Sequence, residues 1–270
     1  MNQADPKAVL VTGGAGYIGS HAVKALALAG YDVCVYDNLM AGHREAVARI
    51  ARAVPERSVT LIEGDILDRA RVLQALRESR AQAVLHFAAR LSVGESVREP
   101  AKYYETNVVG GLTVLSAMAE AGVSRFVFSS TAATFGEPQT IPIDESHRQQ
   151  PINPYGESKL VVERFLQHLD DAKGVRHVVF RYFNAAGADP DGLLGEDHEP
   201  EDHLIPRALG AAMTGRPFQI FGSDYPTPDG TCVRDFVHVT DLADAHVAGL
   251  RALEAGRPSA SYNLGMGEGV

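Results

Sequence analysis

Short runs rich in β-branched and aromatic residues recur at 8–12, 32–37, 58–65, 83–89, 125–130 and 175–183. Each is apolar at odd and even positions alike, and segments with helical periodicity separate them. A strand that is apolar on both faces has to be covered on both, which a parallel sheet with crossover helices on each side achieves. The expected fold class is therefore α/β, a doubly wound parallel sheet. From residue 184 the pattern breaks into AAGADPDGLLGEDHEPEDH, rich in Gly, Pro and acid. A long irregular segment in a compact protein is usually functional. A helix is expected from about Leu204, a short strand at 218–222, and regular α/β material again from 232, with a helix at 241–256. The chain thus divides into a large domain, 1–183 with 232–256, and a small discontinuous α/β unit, 184–231 with 257–270.

At 270 residues and 45% hydrophobic content the chain can bury a sizeable core without covalent staples. Cys34 and Cys232 stand far apart, so neither a disulfide framework nor a zinc site is expected, and a reducing cytoplasm fits best. The opening MNQADPK lacks a basic stretch followed by an apolar one, and no run of 18 apolar residues occurs, which argues against secretion and membrane spanning. A formal net charge of -9 argues against nucleic acid as a partner.

The first strand leads directly into TGGAGYIGSH, placing Gly13, Gly16 and Gly19 at the opening of a helix. Glycine permits the tight turn, and the helix N-terminus offers free amides and a positive dipole end to a pyrophosphate. The plainer reading is a turn chosen for close helix-sheet packing. Asp37, ending the second strand, favours the Rossmann reading because its carboxylate can accept ribose hydroxyls; it would repel a 2′-phosphate, so NAD is expected rather than NADP. A P-loop is excluded, since Ser20 and His21 follow Gly19. Asp65 either meets an adenine or caps the helix that follows. His86, in HFAA at 86–89, reads as a core residue behind the strand ends where ligands bind.

NPYGESK at 153–159 puts Tyr155 and Lys159 on one face of a helix begun by Pro154. Nine tyrosines and five lysines would supply roughly 0.17 such pairs by chance, so placement matters more than spacing. A free phenol titrates near pH ~10, and a neighbouring ammonium with a cationic nicotinamide favours the phenolate, which can then remove a hydroxyl proton. Ser129, Ser130 and Thr131 end the fifth strand, either as hydroxyls for the same site or as an ST-turn. No GxSxG elbow supports a serine hydrolase.

These motifs, with VGES at 93–96, SSTAATFGEP at 129–138, RYFNAAGA at 181–188, HLIP at 203–206 and GTCVRDFVHVTDLADAH at 230–246, run in order through the chain. Together they resemble the UDP-glucose 4-epimerases of the extended short-chain dehydrogenase/reductase family. The resemblance implies an NAD-binding Rossmann domain at 1–183 with 232–256 and a UDP-sugar-binding domain at 184–231 with 257–270. It implies Tyr17 and Ile18 on the pyrophosphate turn, Asp37 and Asn38 at the adenosine ribose, and Asp65 and Ile66 at the adenine. Phe87, Ala88 and Ala89 would run along the cofactor, with Phe183 near the nicotinamide. Tyr155 is implied as the base, Lys159 as the group that lowers its pKa and holds the nicotinamide ribose, and Thr131 as the hydroxyl on the sugar's 4-oxygen. Asn184, His203, Leu204, Gln219, Phe221 and Arg234 would hold the UDP-sugar, with Arg234 on the diphosphate. The implied reaction is redox-neutral: a transient 4-keto sugar turns about its link to the diphosphate and is reduced on its other face, as part of galactose metabolism. The resemblance also implies a homodimer, packed through the helical stretches at 101–121 and 155–172.

Thr131 stands where many relatives carry serine, and Leu91 where some carry lysine. Family members also continue beyond the YNLGMGEG at 262–269, so the chain resembles a C-terminally cut version. The alternatives are a related epimerase for UDP-N-acetylhexosamine or UDP-pentose, a nucleotide-sugar dehydratase, and a non-catalytic NAD-binding protein. A dehydratase needs carboxyl groups where Ala132 and Ala133 follow Thr131. A metal module built on Glu196, Asp197, His198, Asp202 and His203 is the last alternative; the spacing suggests instead a solvated acidic loop, and no metal is expected.

Overall fold

The computed structural model describes residues 7–220 and 222–270. In chain order, β1 (Ala8–Thr12), α1 (Tyr17–Leu28), β2 (Asp32–Asp37), α2 (Arg44–Ala53), β3 (Val59–Glu63), α3 (Arg69–Glu78) and β4 (Ala83–His86) come first. Two short helices, α4 (Val93–Arg98) and α5 (Pro100–Tyr103), pass through a π-helical turn at Tyr104–Val109 into α6 (Gly110–Ala121). Then follow β5 (Arg125–Thr131), a 3-10 turn at Ala132–Thr134, α7 (Pro154–Lys173) and β6 (Arg176–Tyr182). The remainder is β7 (Asn184–Ala186), α8 (Leu204–Thr214), β8 (Phe236–His238), α9 (Val239–Glu254) and β9 (Ala260–Leu264).

Seven strands make one sheet in the order β3-β2-β1-β4-β5-β6-β9, with every pairing parallel. Its first six strands follow the doubly wound Rossmann order, with the switch point between β1 and β4. Alternate residues of one strand feed opposite layers. Val9, Val11, Val33 and Val35 pack with α1, α2 and α9, whereas Leu10, Cys34, Val84, Phe126 and Phe128 pack with α3, α6 and α7. Each such side chain contributes roughly 1.5–3 kcal/mol on burial, which explains why the runs are apolar at every position.

Two expectations need correction. The stretch 257–270 does not all belong to the small unit: its Ala260–Leu264 pairs with β6 from Val178↔Ala260 to Tyr182↔Leu264 and becomes the outer strand of the main sheet. The β6 edge has backbone groups to satisfy, and α9 delivers the chain back to it. The strand expected at 218–222 is absent among its described residues, 218–220 and 222, which pair with no other strand. What the irregular region does contribute is β7, which pairs in parallel with β8 in a two-stranded ladder. Among the described residues no helix is long and apolar enough to cross a membrane.

Candidate active site

The glycine turn lies at the switch point, and its three glycines have different reasons to be there. A Cβ on Gly13 would lie 2.4 Å from the Ala88 amide nitrogen, and one on Gly19 would lie 2.1 Å from the Gly13 carbonyl oxygen. Protein packing alone therefore demands glycine at both. At Gly16 a Cβ would meet nothing nearer than the Gly13 oxygen at 3.5 Å, so packing leaves that position open toward the cavity. Gly16 is also the N-cap of α1 and supplies no side-chain cap, so the first amides of the helix face the same space. Asp37, at the end of β2, accepts from the Ala15 amide at 3.0 Å and from the Leu39 amide at 2.8 Å. Burial pushes its carboxyl up, these two hydrogen bonds oppose it, and a carboxylate retains further acceptor sites for ribose hydroxyls. Asn38 donates to Asp65 at 3.0 Å. Asp65 does not cap α3, a task that falls to Asp68, whose side chain accepts from the Arg71 amide.

The opposite wall comes from β5 and α7. Asn153 caps α7 by accepting from the Gly156 amide at 2.8 Å, with Pro154 in the first turn, as the sequence NPYG predicts. A Cβ on Gly156 would come within 2.4 Å of the Ala133 carbonyl oxygen; glycine lets the helix press against the end of β5. That approach sets Tyr155 beside Thr131. Burial raises the Tyr155 phenol, and the Thr131 hydroxyl pulls it the other way. Thr131 Oγ1 also accepts from the Ala133 amide at 3.1 Å, so the ST-turn and the site hydroxyl are the same group. Lys159 is almost wholly buried, donates to the Ser129 carbonyl at 2.8 Å and lies over the Phe128 ring. Burial pushes its ammonium down to about 7, with Glu163 opposing. His86 is buried against Phe126 and Phe128 and bonds Thr12 at 2.6 Å, a core role as expected.

The segment after β7 folds back over the glycine turn. Tyr17 OH donates to the Gly187 carbonyl at 2.7 Å, Lys24 pairs with Asp189 at 2.6 Å, and Ser92 donates to Asp202 at 3.1 Å. Tyr17 thus contributes its backbone to the turn and its ring to the roof. The cleft beneath it has a volume of about 1630 Å³. Pockets for one drug-sized ligand run to roughly 300–1,000 Å³, so this cleft is larger than a single such ligand needs and has room for two nucleotide-sized molecules. Every described residue expected at the cofactor or substrate lines it except Gln219, which is exposed elsewhere because the strand that would have carried it does not form. Phe221 lies outside the described residues. Arg234 is exposed on the lining, and its guanidinium donates to the Val233 carbonyl at 2.8 Å.

The sequence profile described as the NAD dependent epimerase/dehydratase family matches residues 9–265. The chain belongs to this family. Among its relatives, the UDP-glucose 4-epimerase of Rhizobium leguminosarum bv. trifolii is 54% identical over 263 residues, covering 97% of this chain and 78% of the relative. The Lacticaseibacillus casei UDP-glucose 4-epimerase is 50% identical over 262 residues, 97% of this chain and 77% of its own. In structure the chain is similar to the Brucella ovis UDP-glucose 4-epimerase in complex with NAD, with a TM-score of 0.91, 50% identity, and coverage of 98% and 79% of the two chains. It is likewise similar to the Bifidobacterium longum enzyme in complex with NAD+ and UDP, with a TM-score of 0.90, 37% identity, and coverage of 98% and 79%. The open space at Gly16, the uncapped start of α1 and the acceptor Asp37 fit the dinucleotide that gives this epimerase/dehydratase family its name.

Several residues behind the site escaped the sequence reading. Asn107, in the π-helical turn, accepts from the Arg90 amide at 2.8 Å and donates to the Arg90 carbonyl at 3.1 Å and to Ser158 at 2.9 Å. It ties the loop after β4 to α7; a lone buried Asn in YYETNVVG was the available signal. Glu163 accepts from Ser130, from Gln149 at 3.0 Å and from Arg181 at 2.7 Å, all behind Lys159. The loop at 196–203 is not simply solvated either. Glu196, His198, Glu201 and His203 converge, while Asp197 turns outward to His43 at 3.3 Å.

Proposed function

We propose that the chain is an NAD-dependent nucleotide-sugar 4-epimerase that interconverts UDP-glucose and UDP-galactose through a transient 4-keto sugar. The observation that carries this reading is the meeting of the Tyr155 phenol and the Thr131 hydroxyl, one helical turn from Lys159, on the wall facing the glycine turn across a cavity roomy enough for two nucleotides. When bound at that turn, NAD supplies a reversible acceptor for the hydrogen on the sugar's C4. Tyr155 takes and returns the 4-hydroxyl proton while Thr131 orients that oxygen. Lys159 in its charged form favours the phenolate and holds the nicotinamide ribose. Asp37 and Asn38 hold the adenosine ribose, and Asp65 with Ile66 holds the adenine. Asn184, His203, Leu204 and Arg234 hold the UDP part, so that binding energy resides in the nucleotide and the hexose stays free to turn. The unit at 184–231 is the principal substrate-binding part, with β7 and β8 joining it to the large domain. A homodimer formed through 101–121 and 155–172, working in the cytoplasm, completes the reading. The test is to incubate purified protein with UDP-galactose and no added NAD, and to measure UDP-glucose. Wild type should convert and Tyr155→Phe should lose at least about a hundredfold in kcat. Equal rates in the two, or a well-folded NAD-loaded wild type that converts nothing, would reject the assignment.

A further inference from the structure

The roof segment carries a four-residue cluster of which the proposed reaction uses only His203, as a contact to the UDP-sugar. One ligand atom each from Glu196, His198, Glu201 and His203 falls within 4.8 Å of every other. His198 Nδ1 lies 3.3 Å from Glu196 Oε1 and 3.8 Å from Glu201 Oε2, and His203 Nδ1 lies 3.3 Å from Glu201 Oε1. Tetrahedral zinc bonds of about 2.0–2.1 Å place neighbouring ligand atoms about 3.3 Å apart, the separation found for two of these three pairs. A fourth pair, His203 Nδ1 and Glu196 Oε1 at 2.5 Å, is tighter and would open as a metal entered.

A second observation distinguishes this cluster from an ordinary group of ion pairs. Both Nδ1 atoms are buried and stand at ion-pair distance from Glu196, at angles outside those of a normal hydrogen bond. Buried polar atoms are rarely left in that condition, and a lone pair directed at a cation would satisfy both at once. Glu196, with only 8% of its side chain exposed, sits between the two imidazoles. The backbone is held independently of any ion by the Tyr17 hydroxyl on Gly187 and by His43 and Ser92 on Asp197 and Asp202. His198 and His203 are separated by four residues, within the spacing of histidine pairs that bind zinc. Two imidazoles and two carboxylates select a borderline transition ion over calcium or magnesium, which prefer all-oxygen shells.

We propose that Glu196, His198, Glu201 and His203 form a Zn2+ site that clasps the two ends of the 196–203 segment against the roof of the cavity. The site shares His203 with the proposed UDP-sugar contacts, and its readout, metal content and coordination rather than turnover, keeps its failure distinguishable from failure of the epimerase reading. Chelator-treated protein would be titrated with ZnCl2 by calorimetry, and bound zinc counted by mass spectrometry after gel filtration. Wild type should retain one zinc per chain. His198→Ala and Glu201→Gln should each weaken binding at least about tenfold, whereas Cys232→Ser, which removes the exposed thiol, should bind as wild type does. X-ray absorption at the zinc edge of the wild-type complex should show nitrogen and oxygen neighbours with no sulfur, a readout that holds even if a variant fails to fold. Absence of retained zinc, unchanged affinity in both ligand variants, or a sulfur shell marking adventitious capture by Cys232 would overturn the site.

Discussion

Gly16 and Gly19 are three residues apart, and the structure gives them different duties. At Gly19 a side chain collides with the Gly13 carbonyl, so Gly19→Val should unfold the turn and lower the midpoint of thermal unfolding even without cofactor. Gly16 has ordinary negative φ and open space before it, so Gly16→Val should keep the fold while weakening NAD binding by more than about tenfold. Paired thermal unfolding and NAD-binding measurements separate the two outcomes. Glu163 is the third informative residue. It is buried with Arg181, and removing its charge leaves a buried guanidinium with a weakened partner. Glu163→Gln should cost about 3–5 kcal/mol in urea unfolding. It should also disturb Lys159, whose ammonium Glu163 supports.

Among the elements, α7 matters most because it carries Tyr155 and Lys159 on one face and is held at three places. Its first turn touches the end of β5 through Gly156, Ser158 accepts from Asn107, and Glu163 pairs with Arg181 on β6. Gly156→Ala would push the helix away from Ala133, and a shift of the order of 1 Å at the reacting groups can cost about a hundredfold in rate. The expected result is a fall in kcat with folding retained, checked by kinetics beside circular dichroism. The π-helical turn belongs to the same scaffold. By adding a residue to the helical repeat it turns Asn107 inward toward Arg90 and Ser158, a placement no regular α-helical period would forecast. The helix at α8 was legible from its pattern, yet none of its residues is buried in the structure, so its periodicity revealed its form without its packing.

For the whole molecule the clearest consequence is its response to acid. Burial lowers His86 to about 3 and His246 to about 4, against an ordinary value of 6.5. Below pH 6.5 the unfolded chain therefore takes up protons that the folded chain refuses, and stability should fall as pH drops from 6.5 toward 4. Chemical denaturation across that range should show the slope, and His246→Leu should make it shallower. Lys159 acts with the same sign at the other end. Its folded value of about 7 lies below the ordinary 10.5, so cofactor-free protein should gain stability from this group as pH rises between those values.

Local order determined the strands, the crossover helices, the glycine turn, the acid at the end of β2 and the Pro-Tyr-Lys helix start, because each depends on periodicity, capping or backbone freedom within a few residues. That the sheet is parallel and covered on both sides was implicit in strands apolar on both faces, whereas its register was not. Tertiary structure alone decided that 260–264 would complete the main sheet, that 218–220 would stay unpaired, and that Gln219 would lie away from the cavity, since a strand exists only where an edge accepts it. It alone also brought Asn107 to Arg90, Glu163 to Arg181, and Glu201 into company with two histidines in place of Asp197. These are long-range or directional pairings among polar side chains, and their selection depends on which buried groups would otherwise lack partners, a condition that arises only once the backbone has closed around them.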